Sequence, residues 1–343
     1  MSGASQLRPV TIHHVAARAN VSKSTVSNVV RGVPNVRPEL RARVEHAISE
    51  LGYTPSAVAR SLVARRTKTL GVTIPRLEPF YADVLYGAET RATQAGYHLL
   101  IGSTEIDRRA TEALLQRRVD GFLICGVLAE DVIRTAAAYG PVVLVDPAHV
   151  TSGYATVGVD GFLGAELAVR HLVSLGHTRI AAVIESDEPG ERHERVAGYR
   201  AALAAAGLRA DPRLELQDRA GPRGHDPGPR SAVVHELLAL SPRPTAVVTG
   251  DDLGAIGLID ALEARGVSVP GDLSVVGFDD IAFAGVRRMG LTTVRHPSAG
   301  IGELAAHVLN EQLEGRDDRP IDSVHELLEP ELVIRATTGP PPR

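Results

Sequence analysis

The 343 residues include a single cysteine, Cys125, so no internal disulfide can form. Its setting in the apolar run GFLICG marks it as a small buried hydrophobe. No run of about eighteen apolar residues occurs, which excludes a membrane-spanning helix. The opening MSGASQLRPV lacks the apolar core of a signal peptide, so a reducing, cytoplasmic location is expected. Disordered or low-complexity bulk is also missing. Hydrophobic residues make up 44% and charged residues 23%, a globular balance, and the length suits two or three domains. P-loop and GxSxG signatures are absent, and Gly158, Gly161 and Gly164 do not have GxGxxG spacing. Among 13 histidines there is no spaced cluster with metal geometry, since His13 and His14 are neighbours on one helix and point apart. No catalytic residue, metal ligand or cofactor is assigned.

What is present is a strong charge asymmetry. Residues 1–70 hold 11 Lys and Arg against 3 Glu, a balance of +8, while the remainder holds 26 against 38, or −12. A basic head on an acidic body points to a polyanionic partner, because Lys and Arg release counterions from a phosphate backbone.

Within the head, VSKSTVSNVVRG is built almost wholly from poor helix formers. As a strand it would have no apolar face. At helical spacing Val26, Val29 and Val30 fall together, while Lys23, Ser24, Ser27, Asn28 and Arg31 share the other side without any acid. Ser22 is a suitable N-cap and Gly32 a suitable stop. Upstream, Thr11 precedes IHHVAARA, whose apolar stripe predicts a helix that Asn20 and Val21 link tightly to the next. Downstream, PELRARVEHAISELGY predicts a third helix ending at Gly52. Two short helices joined by about three residues form a helix-turn-helix, whose second member lies in the major groove. The valines then hold a three-helix core and leave the hydroxyl, amide and ammonium side free.

The ordered set VSKSTVSNV, LGYTPSAVARSL, RRVDGFLI, LGHTRIA, ERVAGYRAAL and LSVVGFDD resembles the LacI/GalR family of bacterial transcriptional regulators across nearly the whole chain. The resemblance implies that Lys23, Ser24 and Asn28 read base edges, a role their chemistry suits. Thr11, Ser22, Thr25 and Ser27 are candidates for phosphate contacts, and for Thr11 and Ser22 helix capping is an equal and compatible role. Two departures stand out: Arg37 replaces the usual Ser before Pro38, and His14 replaces an acidic residue.

SAVARSLVARR, residues 56–66, joins head to body and is too short to persist alone as a helix in water. In the family this hinge becomes a helix in the operator's minor groove. The resemblance implies DNA contacts from Ala59 and Leu62, with Leu62 wedged between base pairs, the alternative being Leu62 packed beneath the body.

From Thr69 onward, near-continuous apolar runs alternate with helical segments: TLGVTIP, YHLLIGS, GFLICG, VVLVD, ATVGVD, RIAAVIE, TAVVTG and LSVVGFDD. That pattern predicts parallel α/β sheets covered on both faces, in two lobes. The resemblance implies a two-lobed periplasmic-binding-protein-like (type I) body with a small ligand in the cleft, and the lobe crossings are placed near 160, 290 and 320. Ligands of such sheets sit beyond the carboxyl ends of the strands. Matched to the family, Phe80, Tyr81, Arg195, Asp251 and Asp279 fall at effector-contact positions. Carboxylates paired with Arg suit sugar hydroxyls, and an aromatic suits a ring face. For Asp160, Asp251, Asp252, Asp279 and Asp280, helix N-capping is the alternative. The family's Asn-Asp pair is here Asp251-Asp252. Near Ala220, where many members carry a stacking aromatic, this chain has a Gly- and Pro-rich loop and no Trp anywhere.

The expected organisation is an all-α helix-turn-helix head over 1–55, a hinge over 56–66, a two-lobed effector-binding and dimerisation domain over 67–338, and a flexible tail over 339–343. TTGPPPR at the end offers no leucine heptads, so a homodimer is expected, not a tetramer. The function expected is that of a cytoplasmic repressor, nucleoid-associated when bound. It would bind a pseudo-palindromic double-stranded operator under control of a small effector, a sugar or sugar derivative. A solute-binding protein or sugar-processing enzyme with an appended basic head is the competing class. The complete head and the missing export signal argue against it.

Overall fold

The computed structural model describes residues 10–30, 32–53, 66–104, 106, 109–126, 128–147, 153–184, 189–217, 230–316, 319–320 and 323–342, with side chains in the stretch after 189 described from Glu194 onward. The hinge residues Ala59 and Leu62, and Ala220, lie outside them. The chain forms two compact units, Met1–Thr67 and Lys68–Arg343.

In the first unit, helices α1 (Ile12–Ala19), α2 (Lys23–Val30) and α3 (Pro38–Leu51) enclose Val15, Ala16, Ala19, Val26, Val29, Val44 and Ala47. Their termini follow from local chemistry. Asn20 turns into the left-handed region at φ 50° to end α1, and Gly52 does so at φ 60° to end α3. Arg43 on α3 donates to the Ala19 and Asn20 carbonyls at 2.6 and 3.1 Å, satisfying the end of α1. Arg37 supplies no side-chain cap, and Pro38 at the first helical position opens α3 without one.

The second unit contains two six-stranded sheets. The first runs in the order β11 (His325–Leu328), β5 (Ala155–Val159), β4 (Val142–Val145), β3 (Gly121–Cys125), β1 (Thr69–Ile74) and β2 (His98–Ser103). The second runs β12 (Glu331–Val333), β10 (Thr292–Arg295), β9 (Ser274–Asp279), β8 (Ala246–Thr249), β6 (Ile180–Val183) and β7 (Glu215–Leu216). All pairings are parallel except β10 with β12. Strands β1, β3 to β6, β8 and β9 are buried almost throughout, as apolar runs covered on both faces must be.

Helices α4 (Pro79–Gln94), α5 (Ala110–Gln116), α6 (Glu130–Ala137) and α11 (Ser298–Glu314) belong to the first lobe. Helices α7 (Gly161–Ser174), α8 (Pro189–Ala205), α9 (Arg230–Ala239) and α10 (Asp252–Glu263) belong to the second. Helices α4 and α11 meet at backbone distance. A Cβ on Gly87 would collide with the Ala299 carbonyl, and one on Gly302 with the Val84 carbonyl.

The chain changes sheet after Val159, after Arg295 and after Leu328. The last two crossings lie beyond the expected positions near 290 and 320. Thr292–Arg295 first pairs beside β9, and His325–Leu328 first pairs beside β5. The chain stays bonded to the second sheet up to Gly339, the first residue of the expected tail. Thr337 pairs with Val275 through both its carbonyl and its hydroxyl, and the Gly339 N–H donates to Ser274 Oγ at 3.1 Å. The Gly339 carbonyl accepts from His177 Nε2 at 2.8 Å, leaving Nδ1 to accept from Thr245. Cys125 is buried, and burial pushes its thiol up.

Candidate functional site

Two sites emerge, one in each unit. In the head, the face of α2 opposite Val26 and Val29 presents Lys23 and Ser24 to solvent with Ser27 and Asn28 half-buried beside them. Ser22 performs the capping role: its Oγ accepts the Thr25 N–H at 3.1 Å and lies 2.7 and 2.8 Å from the hydroxyls of Ser24 and Thr25. Thr11 caps α1, and His14 now has a structural account. Its Nδ1 accepts the Thr11 backbone N–H at 3.1 Å, the part an acidic or Gln side chain plays in a capping box. The result is an acid-free polar face on α2, held at its start by the Ser22 hydroxyl, whose donors and acceptors have the chemistry to pair with base edges and phosphates.

In the body, residues just past the carboxyl ends of strands in the two sheets meet where the lobes adjoin. Phe80 and Tyr81 open α4 with rings edge-to-face at 5.0 Å. Arg195 on α8 is buried, stacks 4.0 Å over the Phe278 ring and donates to the Gly250 carbonyl. Phe80 in turn meets the edge of His296 at 4.7 Å. His296 lies just past β10 in the second lobe, and its Nε2 is 3.3 Å from Asp146 Oδ2 past β4 in the first. That approach has ion-pair distance without hydrogen-bond geometry, and Nδ1 of the buried imidazole has no hydrogen-bond partner among the described residues. Burial alone would raise the Asp146 carboxyl. The His296 and Arg195 charges and the Val159 N–H outweigh it and hold the group below its ordinary value.

The structure thus brings Phe80, Tyr81 and Arg195 to one region with Asp146, His296 and Phe278, which sequence reasoning did not single out. Asp146 carried a signal, an acid directly after the apolar run VVLV. His296 carried none, because β10 is half threonine.

The aspartates divide by role. Asp251 caps α10 through the Gly254 N–H at 2.5 Å, and Asp160 caps α7 through the Leu163 N–H at 2.8 Å. Asp252 is fully buried, accepting from Thr293 Oγ1 at 2.5 Å and the Ile281 N–H at 2.9 Å. Burial pushes its carboxyl up to about 7 against the pull of those donors. Asp280 is taken by Arg295 and Arg335 at 2.9 and 2.5 Å. Asp279 closes β9 with φ 113°, a left-handed position, and is half-buried.

Comparison with known proteins gives these sites a context. The family model "Bacterial regulatory proteins, lacI family" matches residues 11–56, and "Periplasmic binding protein-like domain" matches residues 169–338. The ribose operon repressor of Escherichia coli (strain K12) is 36% identical over 307 residues, 87% of this chain and 92% of that protein.

The chain belongs to the LacI family of bacterial regulatory proteins.

Two solved structures match over nearly the whole length. A lac repressor dimer bound to operator and an anti-inducer matches with TM-score 0.83 and 26% identity, covering 97% of this chain and all of that one. A cellobiose complex of the transcriptional regulator CelR matches with TM-score 0.70 and 30% identity, covering 96% and 100%. The LacI-family fold accounts for both units: a helix-turn-helix head, and a periplasmic-binding-protein-like body of two parallel-sheet lobes.

Proposed function

We propose that this LacI-family regulator is a cytoplasmic repressor. In this reading it binds a pseudo-palindromic operator as a homodimer and alters its operator affinity when a sugar or sugar derivative occupies the inter-lobe cleft. The observation that carries the reading is the pairing, in one chain, of an acid-free recognition helix with a cleft that joins aromatic faces to Arg195, Asp146 and His296. A guanidinium and a carboxylate set around aromatic edges suit vicinal hydroxyls. The name of the ribose operon repressor and the cellobiose in the CelR structure support the carbohydrate class.

In this reading the head spans 1–55, the linker 56–66 and the body begins at 67. Lys23, Ser24 and Asn28 contact bases; Thr11, Ser22, Thr25 and Ser27 contact phosphates; Ala59 and Leu62 enter the minor groove. Phe80, Tyr81, Arg195 and Asp279 contact the effector. Asp251 has one oxygen committed to its helix and offers the other. Exposed Tyr86 and Leu77 on the first lobe and Phe283 and Val286 on the second are apolar surface that a twofold partner would cover.

Footprinting of genomic fragments with the full chain tests the proposal. It requires a symmetric protected site whose occupancy changes when pentoses or disaccharides are added. Salt-dependent binding without a preferred sequence refutes it.

A further inference from the structure

Helices α4 and α11 both start at the cleft and finish at the same distant point. Phe80 and Tyr81 stand in the first turn of α4, and Tyr97 follows its end, its N–H bonded back to the Ala92 carbonyl at 2.9 Å. His296 precedes the start of α11 by two residues, and Glu314 is its last residue. Each helix is 16 or 17 residues long, hence about 25 Å at 1.5 Å per residue. The two are locked at Gly87 against Ala299 and at Gly302 against Val84, backbone on backbone. Helices in such contact move as one piece, since close-packed groups leave no slack for independent sliding.

At the far end lies Lys68, the first residue of the second compact unit and two residues past the linker. Its ammonium meets Glu314 Oε1 at 2.8 Å and sits 4.1 Å over the ring of Tyr97, whose hydroxyl donates to the same carboxylate at 2.9 Å. Its backbone N–H donates to Asp120 Oδ2 at 2.8 Å, and its φ of 53° is left-handed, a conformation a lysine adopts only when its surroundings impose it.

We infer that Glu314 and Tyr97 are positioning residues for operator recognition: they hold Lys68, where the linker leaves the body, and the α4–α11 pair ties that point to the cleft. The inference rests on the operator-binding function proposed above. Its physical content is that specific binding needs two heads placed in register on the duplex. Non-specific binding needs only their charge.

The test uses the full chain and the genomic fragment it protects. Glu314→Gln, which removes the charge that pairs with the Lys68 ammonium, and Tyr97→Phe, which removes the hydroxyl that donates to Glu314, should each weaken binding to that fragment at least fivefold. Affinity for a scrambled duplex should stay within twofold, and the thermal midpoint should stay within a few degrees. Lys68→Met should reproduce the effect, and adding it to Glu314→Gln should weaken binding little further. In the double variant Phe80→Ala/Glu314→Gln, the combined loss should differ from the product of the single losses by threefold or more, although the sites lie a helix length apart. Parallel loss on both DNAs, or loss that tracks the thermal midpoint, reduces the cluster to a structural role and overturns the inference. Strict multiplicativity with Phe80→Ala overturns the link to the cleft. A parent chain that protects no fragment overturns the operator-binding function, and this inference falls with it.

Discussion

Gly300 and Gly302 lie on the same helix, α11, two residues apart, and offer a controlled comparison. Replacing either by Ala gains roughly 1 kcal/mol of helix propensity. Their surroundings differ. A Cβ on Gly302 would overlap the Val84 carbonyl oxygen and lie 2.8 Å from its carbon and 3.0 Å from the Ala88 nitrogen, all backbone atoms of α4. A Cβ on Gly300 would meet Leu328 Cδ2 at 3.3 Å, the far end of a half-buried side chain that can turn away. Overpacking costs about 1–3 kcal/mol, and an obstruction made of backbone belongs at the upper end. Net of propensity, Gly302→Ala should lose about 2 kcal/mol and Gly300→Ala should be neutral or gain up to about 1 kcal/mol. For a unit of this size the first corresponds to a fall of roughly 5 °C in midpoint. With no Trp to report unfolding, far-ultraviolet circular dichroism of the full chain during heating is the appropriate assay. Equal effects of the two substitutions, or a stabilising Gly302→Ala, would refute the close helix contact.

Asp252 should make stability fall as pH rises from about 4 to about 7. In that window the folded chain holds a proton on this buried carboxyl that the unfolded chain has released, a difference on the order of 4 kcal/mol at most. Asp252→Asn should flatten that limb in urea titrations at pH 5 and pH 7.5. His177 acts in the opposite sense: burial lowers its pKa from 6.5, so the folded chain binds fewer protons below that pH and loses stability on acidification. His177→Gln should reduce the acid-side loss measured by thermal midpoint. Asn28→Ala should cost about 1–3 kcal/mol on the protected fragment and relax preference at one base pair in competition binding. A uniform loss on all sequences would assign Asn28 to the backbone instead. Leu62→Ala should weaken specific binding more than non-specific binding in salt-matched gel shifts, and equal losses would remove the wedge role.

The parts of the fold that sequence reading reached are those with strong periodicity. The valines of α2 and the apolar strands β1, β3, β4, β5, β6, β8 and β9 needed no long-range information. Strands β7, β10, β11 and β12 went unread because they are two to four residues long and none is a continuous apolar run. The buried Thr292 and Thr293 fit a core through hydrogen bonds with Thr337, Thr338, the Arg335 N–H and Asp252. The late lobe crossings follow from those omissions. At the cleft, an acid after a strand does not reveal whether it will cap a helix, as Asp160 and Asp251 do, or face a cross-lobe partner, as Asp146 does. Only tertiary structure brings Asp146 to His296, 150 residues away in sequence. His14 was legible as a departure, but its acceptor nitrogen was not.

The three crossings between sheets also bear on how the polypeptide is made. Neither lobe is a contiguous stretch: the first needs β11 and α11 from the last fifty residues, and the second is closed by β12 and the segment through Gly339. During ribosomal synthesis the first five strands of that six-stranded sheet must therefore wait, with the β5 edge unpaired, until the carboxyl-terminal segment emerges. Premature termination upstream of His325 would release a product with that edge open in place of a usable single lobe.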